Sequence, residues 1–151
     1  MDLTLNGTAV AAGSLLAING ESASAEVYAV DKGTGAIFKS LNTTFGHSHV
    51  VGGAYHPSRN TFFLVEDRVP SGTVNDSVVA EINPSNVSVL NSFQITGILS
   101  TFTVNYGDID IGANGNLFIV SSDESTIAEF TPTGAFVQEL ALPSGERYRN
   151  R

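Results

Sequence analysis

Three histidines fall within ten residues, His47, His49 and His56, and the chain has no others. On an extended strand His47 and His49 share one side, at a spacing that lets two imidazoles hold one divalent metal. His56 falls on the opposite side of a regular strand, unless the Gly52-Gly53 pair hosts a bulge. Two ligands do not complete a site, and histidines of an exposed loop are the plainer reading. Asp108 and Asp110 share a face in the same way. Calcium needs several hard oxygen ligands to converge, and only Asn105 joins these two, so capping of strand ends and turns is the competing role. The cofactor such residues suit is a divalent cation, calcium or zinc.

Two more acidic pairs, Glu66-Asp67 and Asp123-Glu124, each follow an apolar run, where Asn19-Gly20-Glu21 stands earlier in the chain. Together on one rim they would suit a cation or a small polyhydroxyl or carbohydrate ligand; apart, they are solvated loop residues. Two carboxylates are also the minimum for glycoside hydrolysis, but that chemistry depends on their separation. With no cysteine there is no thiolate nucleophile and no disulfide. Phosphate loops, dinucleotide fingerprints and Gly-x-Ser-x-Gly elbows are missing. The net charge of −8 argues against nucleic acid. Of seven basic residues, Arg147, Arg149 and Arg151 lie in the last five positions, leaving the body more acidic still.

The elements that must carry these residues are strands. Short β-branched and aromatic runs alternate with Gly, Asn, Asp, Ser and Pro turns over 151 residues, read here as a single domain, 1–151. Three units align, at about 9–45, 50–96 and 105–142. Their anchors Val30, Ile82 and Phe130 are separated by 52 and 48 residues, close to the period of propeller blades. Each unit reads as four antiparallel strands. Lys32-Gly33-Thr34-Gly35, Pro84-Ser85-Asn86 and Pro132-Thr133-Gly134 stand between its third and fourth. The second strand (15–18, 62–65, 117–120) is apolar on both sides, as expected between two neighbouring sheets. Asn114-Gly115 predicts a type I′ hairpin.

The third unit, Gly107-Asp108-Ile109-Asp110-Ile111-Gly112-Ala113-Asn114-Gly115-Asn116-Leu117-Phe118-Ile119-Val120 with Ile127-Ala128-Glu129-Phe130 and Gly134, resembles an NHL-type blade. Gluconolactonase-like six-bladed β-propellers carry similar blades. The first two units resemble it in outline only, and the second carries an insertion from Arg68 to Asp76. The resemblance implies an axial calcium held by oxygens from several blades, with Asp110 the residue carried over. The equivalents, Tyr55 in the second unit and an apolar residue in the first, do not reproduce the ligand set.

A propeller closes with four to eight blades. Three leave an apolar face open at each end, so the chain is expected either to be a piece of a longer propeller or to pair with a second copy into a six-bladed ring that buries both faces. The fold expected is therefore all-β, a partial propeller, with completion to six blades by dimerisation as one of those two arrangements. The function expected is a non-catalytic binding or interaction module that self-associates. The alternative is a metal-dependent hydrolase of gluconolactonase-like type using His47, His49, Asp108 and Asp110. The start of the chain lacks the basic and apolar stretches of a secretory signal, and no apolar run spans a bilayer, so a soluble protein is expected.

Overall fold

The computed structural model describes residues 3–46, 49–67 and 77–143. It is nearly all-β, with four antiparallel sheets. A short hairpin, β1 (Thr4–Leu5) with β2 (Thr8–Ala9), precedes three larger sheets. Sheet I runs β3 (Leu15–Asn19), β4 (Glu26–Val30), β5 (Ile37–Asn42). Sheet II runs β6 (Val50–His56), β7 (Thr61–Glu66), β8 (Val78–Ile82), β9 (Val89–Gln94). After one helical turn, α1 (Ile95–Ile98), sheet III runs β10 (Asp108–Ile111), β11 (Leu117–Val120), β12 (Thr126–Phe130), β13 (Phe136–Ala141). Sheets II and III are four-stranded meanders of blade type. Among the described residues no closed barrel forms.

Two cores hold the sheets together. Leu16, Ile18, Val27, Ala29 and Leu41 of sheet I pack with Phe62, Leu64, Ala80 and Ile82 of sheet II. On the other side of sheet II, Phe63, Val65 and Val79 pack with Ile109, Leu117, Ile119, Ala128 and Phe130 of sheet III. The order is repetitive. The forward face of each sheet, looking toward the next in the chain, meets the rear face of its successor. Among the described residues only sheet II has neighbours on both sides, so every residue of β7 is buried, whereas β3 is half-exposed and β11 alternates.

The outer hairpins repeat in detail. A bulge falls at Ala29/Val30, Glu81/Ile82 and Glu129/Phe130. The turns that follow begin at Asp31, Asn83 and Thr131, whose side chains accept the N–H groups of Gly33, Ser85 and Ala135 respectively. They close with Gly35, Val87 and Gly134 in the left-handed region. An Asx- or Thr-capped turn is what these residue types form on their own.

Three expectations are corrected. Unit one is three-stranded, because Val10-Ala11-Ala12, which would supply its first strand, instead follow the β1–β2 hairpin: the Val10 N–H donates to the Leu3 carbonyl, and the Ala11 carbonyl accepts the Ser14 N–H in the turn that leads to β3. Gly7, at φ +74°, sharpens the turn of the hairpin, and the Asn6 N–H donates to the Pro84 carbonyl at 2.8 Å, tying the hairpin to sheet II. Asn114-Gly115 is not a type I′ turn. Only Gly115 has positive φ, and its N–H donates to the Gly112 carbonyl at 2.9 Å, while Asn114 Oδ1 accepts the Asn116 N–H. The counterpart of Asp110 in sheet II is Ala54, not Tyr55. Ala54 pairs with Phe63 as Asp110 pairs with Phe118, both partners lying on forward faces. The loop after β6 is one residue shorter than that after β10, which shifts the count. The insertion Arg68 to Asp76 lies outside the described residues.

Candidate functional site

β6 lies between His49 and His56. His49 precedes its first residue and His56 is its last, roughly 20 Å away at the rise of a strand. His47 lies outside the described residues. His56 is buried, at 3% exposure. Its Nε2 sits 3.0 Å from the Gly115 carbonyl oxygen, and Ser58 Oγ lies 3.3 Å from its Nδ1. A carbonyl only accepts, so Nε2 carries the proton and Nδ1 takes the serine hydroxyl. His56 thereby bridges the inner hairpin of sheet II to that of sheet III. His56→Phe, which keeps a ring and loses the donor, is expected to cost about 1 kcal/mol in urea denaturation. Chelator is expected to leave the wild-type midpoint in place; a chelator-sensitive midpoint would make His56 a ligand instead of a bridge.

The acidic pairs at the other end of the sheets are put to structural use. Glu66 and Asp67 are buried. Asp67 Oδ2 accepts the Tyr106 N–H at 3.2 Å, joining sheet II to the segment before β10. Asp123 Oδ2 accepts from Asn105 Nδ2 at 2.8 Å, and Glu124 Oε1 accepts the Thr103 N–H at 3.2 Å. In sheet I the matching place holds a network in which Asn19, Ser22 and Tyr28 all donate to Glu26 Oε2. The Tyr28 bond is first among the causes that hold the Glu26 carboxyl below its ordinary range. Asp67, Asp123, Glu124 and Glu26 thereby brace loops. Among the described residues no three His, Asp or Glu side chains are placed to share a metal ion.

Asp108 and Asp110 do share a face, the forward face of β10, and both are exposed. Each accepts the N–H of the residue that follows it. With Phe118, Val120 and Ile127 they line an apolar cavity of about 230 Å³. Partial enclosure, and secondarily the charge of Asp110, push the Asp108 carboxyl above its ordinary range against the pull of the Ile109 N–H. A second, larger cleft of about 520 Å³ lies between the β6–β7 and β10–β11 turns, lined by Tyr55, Ser58, Asp110 and Asn114 among others.

Two carboxylates escaped the sequence reading. Glu81 and Glu129 each stand one residue before an anchor, Ile82 or Phe130, and each is buried. Glu81 accepts two bonds from Arg59, at 2.7 and 2.9 Å, and one from Thr61 at 2.8 Å. Glu129 accepts from Asn114, Asn116 and Gln138. In both sheets, then, the carboxylate on the third strand clamps the turn of the inner hairpin. The signal was present in the repeat itself: an acid at one register position, matched by polar residues in the preceding turn.

The end sheets each carry apolar residues on the face that meets no other sheet among the described residues. The rear face of sheet I carries Leu15, Ala17, Tyr28 and Val30; Leu15 is 56% exposed. The forward face of sheet III carries Phe118, Val120, Ile127 and Leu140 beside the two aspartates. No helix among the described residues is long and apolar enough to cross a membrane.

No family model matches the sequence, and no curated protein matches it. Among solved structures, the chain is similar to a luciferin-regenerating enzyme at 13% identity and a TM-score of 0.48, over 80% of this chain and 37% of that one. It is also similar to a protein of unknown function from Bacteroides caccae at 15% identity and a TM-score of 0.39, over 86% and 58%. The chain thus spans less than two thirds of either structure. Its own consecutive antiparallel sheets, stacked face to face, fit a β-propeller-like fold.

Proposed function

We propose that this chain is a non-catalytic interaction module, a three-sheet propeller segment that works by joining its two open faces to further sheets, with a second copy of itself as the partner. The observation that carries the reading is the repeated stacking of forward face on rear face. Among the described residues that arrangement leaves unpartnered one forward face, on sheet III, and one rear face, on sheet I. Inside the chain such faces bury Phe63 and Val65 against Leu117 and Ile119. At its ends they present Phe118 and Val120, or Leu15 and Ala17, at the same register positions. A forward face of one copy on the rear face of another repeats a packing the chain already makes twice. Two such contacts related by a two-fold axis complete a ring of six sheets.

The contact joins two different faces, so it can be tested by complementation. Val120→Arg spoils the forward face and Ala17→Arg the rear face, and both positions point away from the cores. Each variant alone is expected to sediment as a monomer. An equimolar mixture retains one intact forward face and one intact rear face, and is expected to recover association. Mixtures that stay monomeric while the wild type associates would place the contact elsewhere.

A further inference from the structure

The turn that joins β6 to β7 holds a serine against a histidine. Ser58 is exposed, and its Oγ lies 3.3 Å from His56 Nδ1. The other ring nitrogen, Nε2, gives its proton to the Gly115 carbonyl at 3.0 Å. Nδ1 is therefore the unprotonated nitrogen, and it accepts the serine hydroxyl. A hydroxyl bonded to a base that a third group orients is the arrangement that activates a serine as a nucleophile.

The surroundings hold that geometry in place. Pro57 fixes one backbone angle of the turn. The Asn60 N–H closes the turn onto the His56 carbonyl at 2.9 Å, and the Tyr55 hydroxyl donates to Asn60 Oδ1 at 2.8 Å. Arg59 is drawn away to Glu81, and the His56 ring lies against Phe63, with centroids 5.8 Å apart. Ser58 opens on the cleft of about 520 Å³ between the β6–β7 and β10–β11 turns. Among the described residues its lining has the Asp110 carboxylate, apolar surface from Pro57, Ile111 and Ala113, and neither lysine nor arginine. Such a cleft admits an uncharged reactant and repels an anionic one.

We propose that Ser58 is an acyl-acceptor site, a serine that His56 activates to take an acyl group from an uncharged carboxylic ester. Ser58 Oγ forms a bond to the carbonyl carbon, and the ester bond to the departing alcohol breaks. The hydroxyl proton passes to His56 Nδ1. From there it goes to the departing oxygen, or to solvent where that oxygen leaves as an anion, and the imidazole returns to its neutral form. Acceptance is stoichiometric, one acyl group per chain, and modifies the module without turnover. The site lies between sheets II and III and uses neither open face as a contact, so it stands or falls apart from the pairing of copies.

The probes are para-nitrophenyl acetate, which is uncharged, and acetyl phosphate, which is anionic, with peptide mass spectrometry locating the acetyl group. Ser85, exposed in the turn between β8 and β9, is the internal reference. With the aryl ester, Ser58 is expected to be acetylated about a hundredfold faster than Ser85, the lower end of what a positioned base supplies. In His56→Phe, shown to be folded by its urea midpoint, the Ser58 rate is expected to fall to that of Ser85. Acetyl phosphate is expected to leave Ser58 unmodified. Wild-type Ser58 reacting no faster than Ser85 would overturn the proposal, and so would an unchanged rate in folded His56→Phe. Equal labelling by acetyl phosphate would overturn the choice of an uncharged donor.

Discussion

Gly20→Ala and Gly52→Ala are each expected to lower stability by about 3 kcal/mol, at the upper end of what overpacking costs. Sheets meet most closely at their inner edges, and these glycines are where they meet. A methyl group on Gly20 would overlap the Val50 carbonyl, lying 2.7 Å from its carbon, and one on Gly52 would lie 2.7 Å from Asp108 Cα. At Gly20 the nearest neighbour is backbone, and at Gly52 the Asp108 carboxyl stands beside Asp108 Cα, so even if that side chain swings aside the backbone contact stays. Neither glycine has a positive φ, so the effect isolates sheet contact from turn conformation. Gly33→Ala is the control: its nearest neighbour, Asp31 Oδ1, would sit at 3.4 Å, an ordinary contact, and little change is expected. Urea midpoints of the three variants check this. A Gly52→Ala protein as stable as the wild type would mean that sheets II and III do not approach along β6 and β10.

Arg59→Met is expected to cost about 2 kcal/mol, because it leaves the Glu81 carboxylate buried with Thr61 alone. Breaking a fully buried pair costs more, but Arg59 is 41% exposed, and solvent screening reduces the loss. The same pair sets a pH signature. Burial pushes the Glu81 carboxyl upward, and the Arg59 hydrogen bonds, the Thr61 hydroxyl and the Arg59 charge outweigh it, so the group ends below its ordinary 4.5. A folded pKa below the unfolded one adds stability above about pH 4.5, and that stability is lost as pH falls through the folded value. The gap between wild type and Arg59→Met is therefore expected to be widest at neutral pH and to close in acid. A gap that stays constant from neutral pH into acid would contradict the assignment. Glu129 has amide partners and no cation, so its contribution is expected to respond little to salt.

The outer hairpins were legible because their cause is local. Asp31, Asn83 and Thr131 cap their own turns, and Gly35 and Gly134 take the left-handed positions that end them. The anchors Val30, Ile82 and Phe130 stand in one register, each just after a bulge. The inner strand of unit one was misread because Val10-Ala11-Ala12 has strand composition, and nothing local decides whether a strand finds a partner. A distant hydrogen bond from Asn6 to Pro84 helped decide it. The histidines show the same limit from the side of chemistry. His49 and His56 are close in sequence, but an extended strand turns that closeness into distance, and His56 is committed to the Gly115 carbonyl. The carboxylates Glu66 and Asp67 were read as a rim because acids are usually exposed. The structure buries them, and the accepting role of Asp67 toward Tyr106 depends on a segment nearly forty residues away.

The solution mass of the wild-type chain, measured by light scattering over a range of concentrations, tests the two open faces most directly. The expected result is twice the 15.8 kDa of one chain, falling to the single-chain mass in Val120→Arg. A mass of 15.8 kDa at every concentration would contradict pairing between copies and leave the faces of sheets I and III to a different partner.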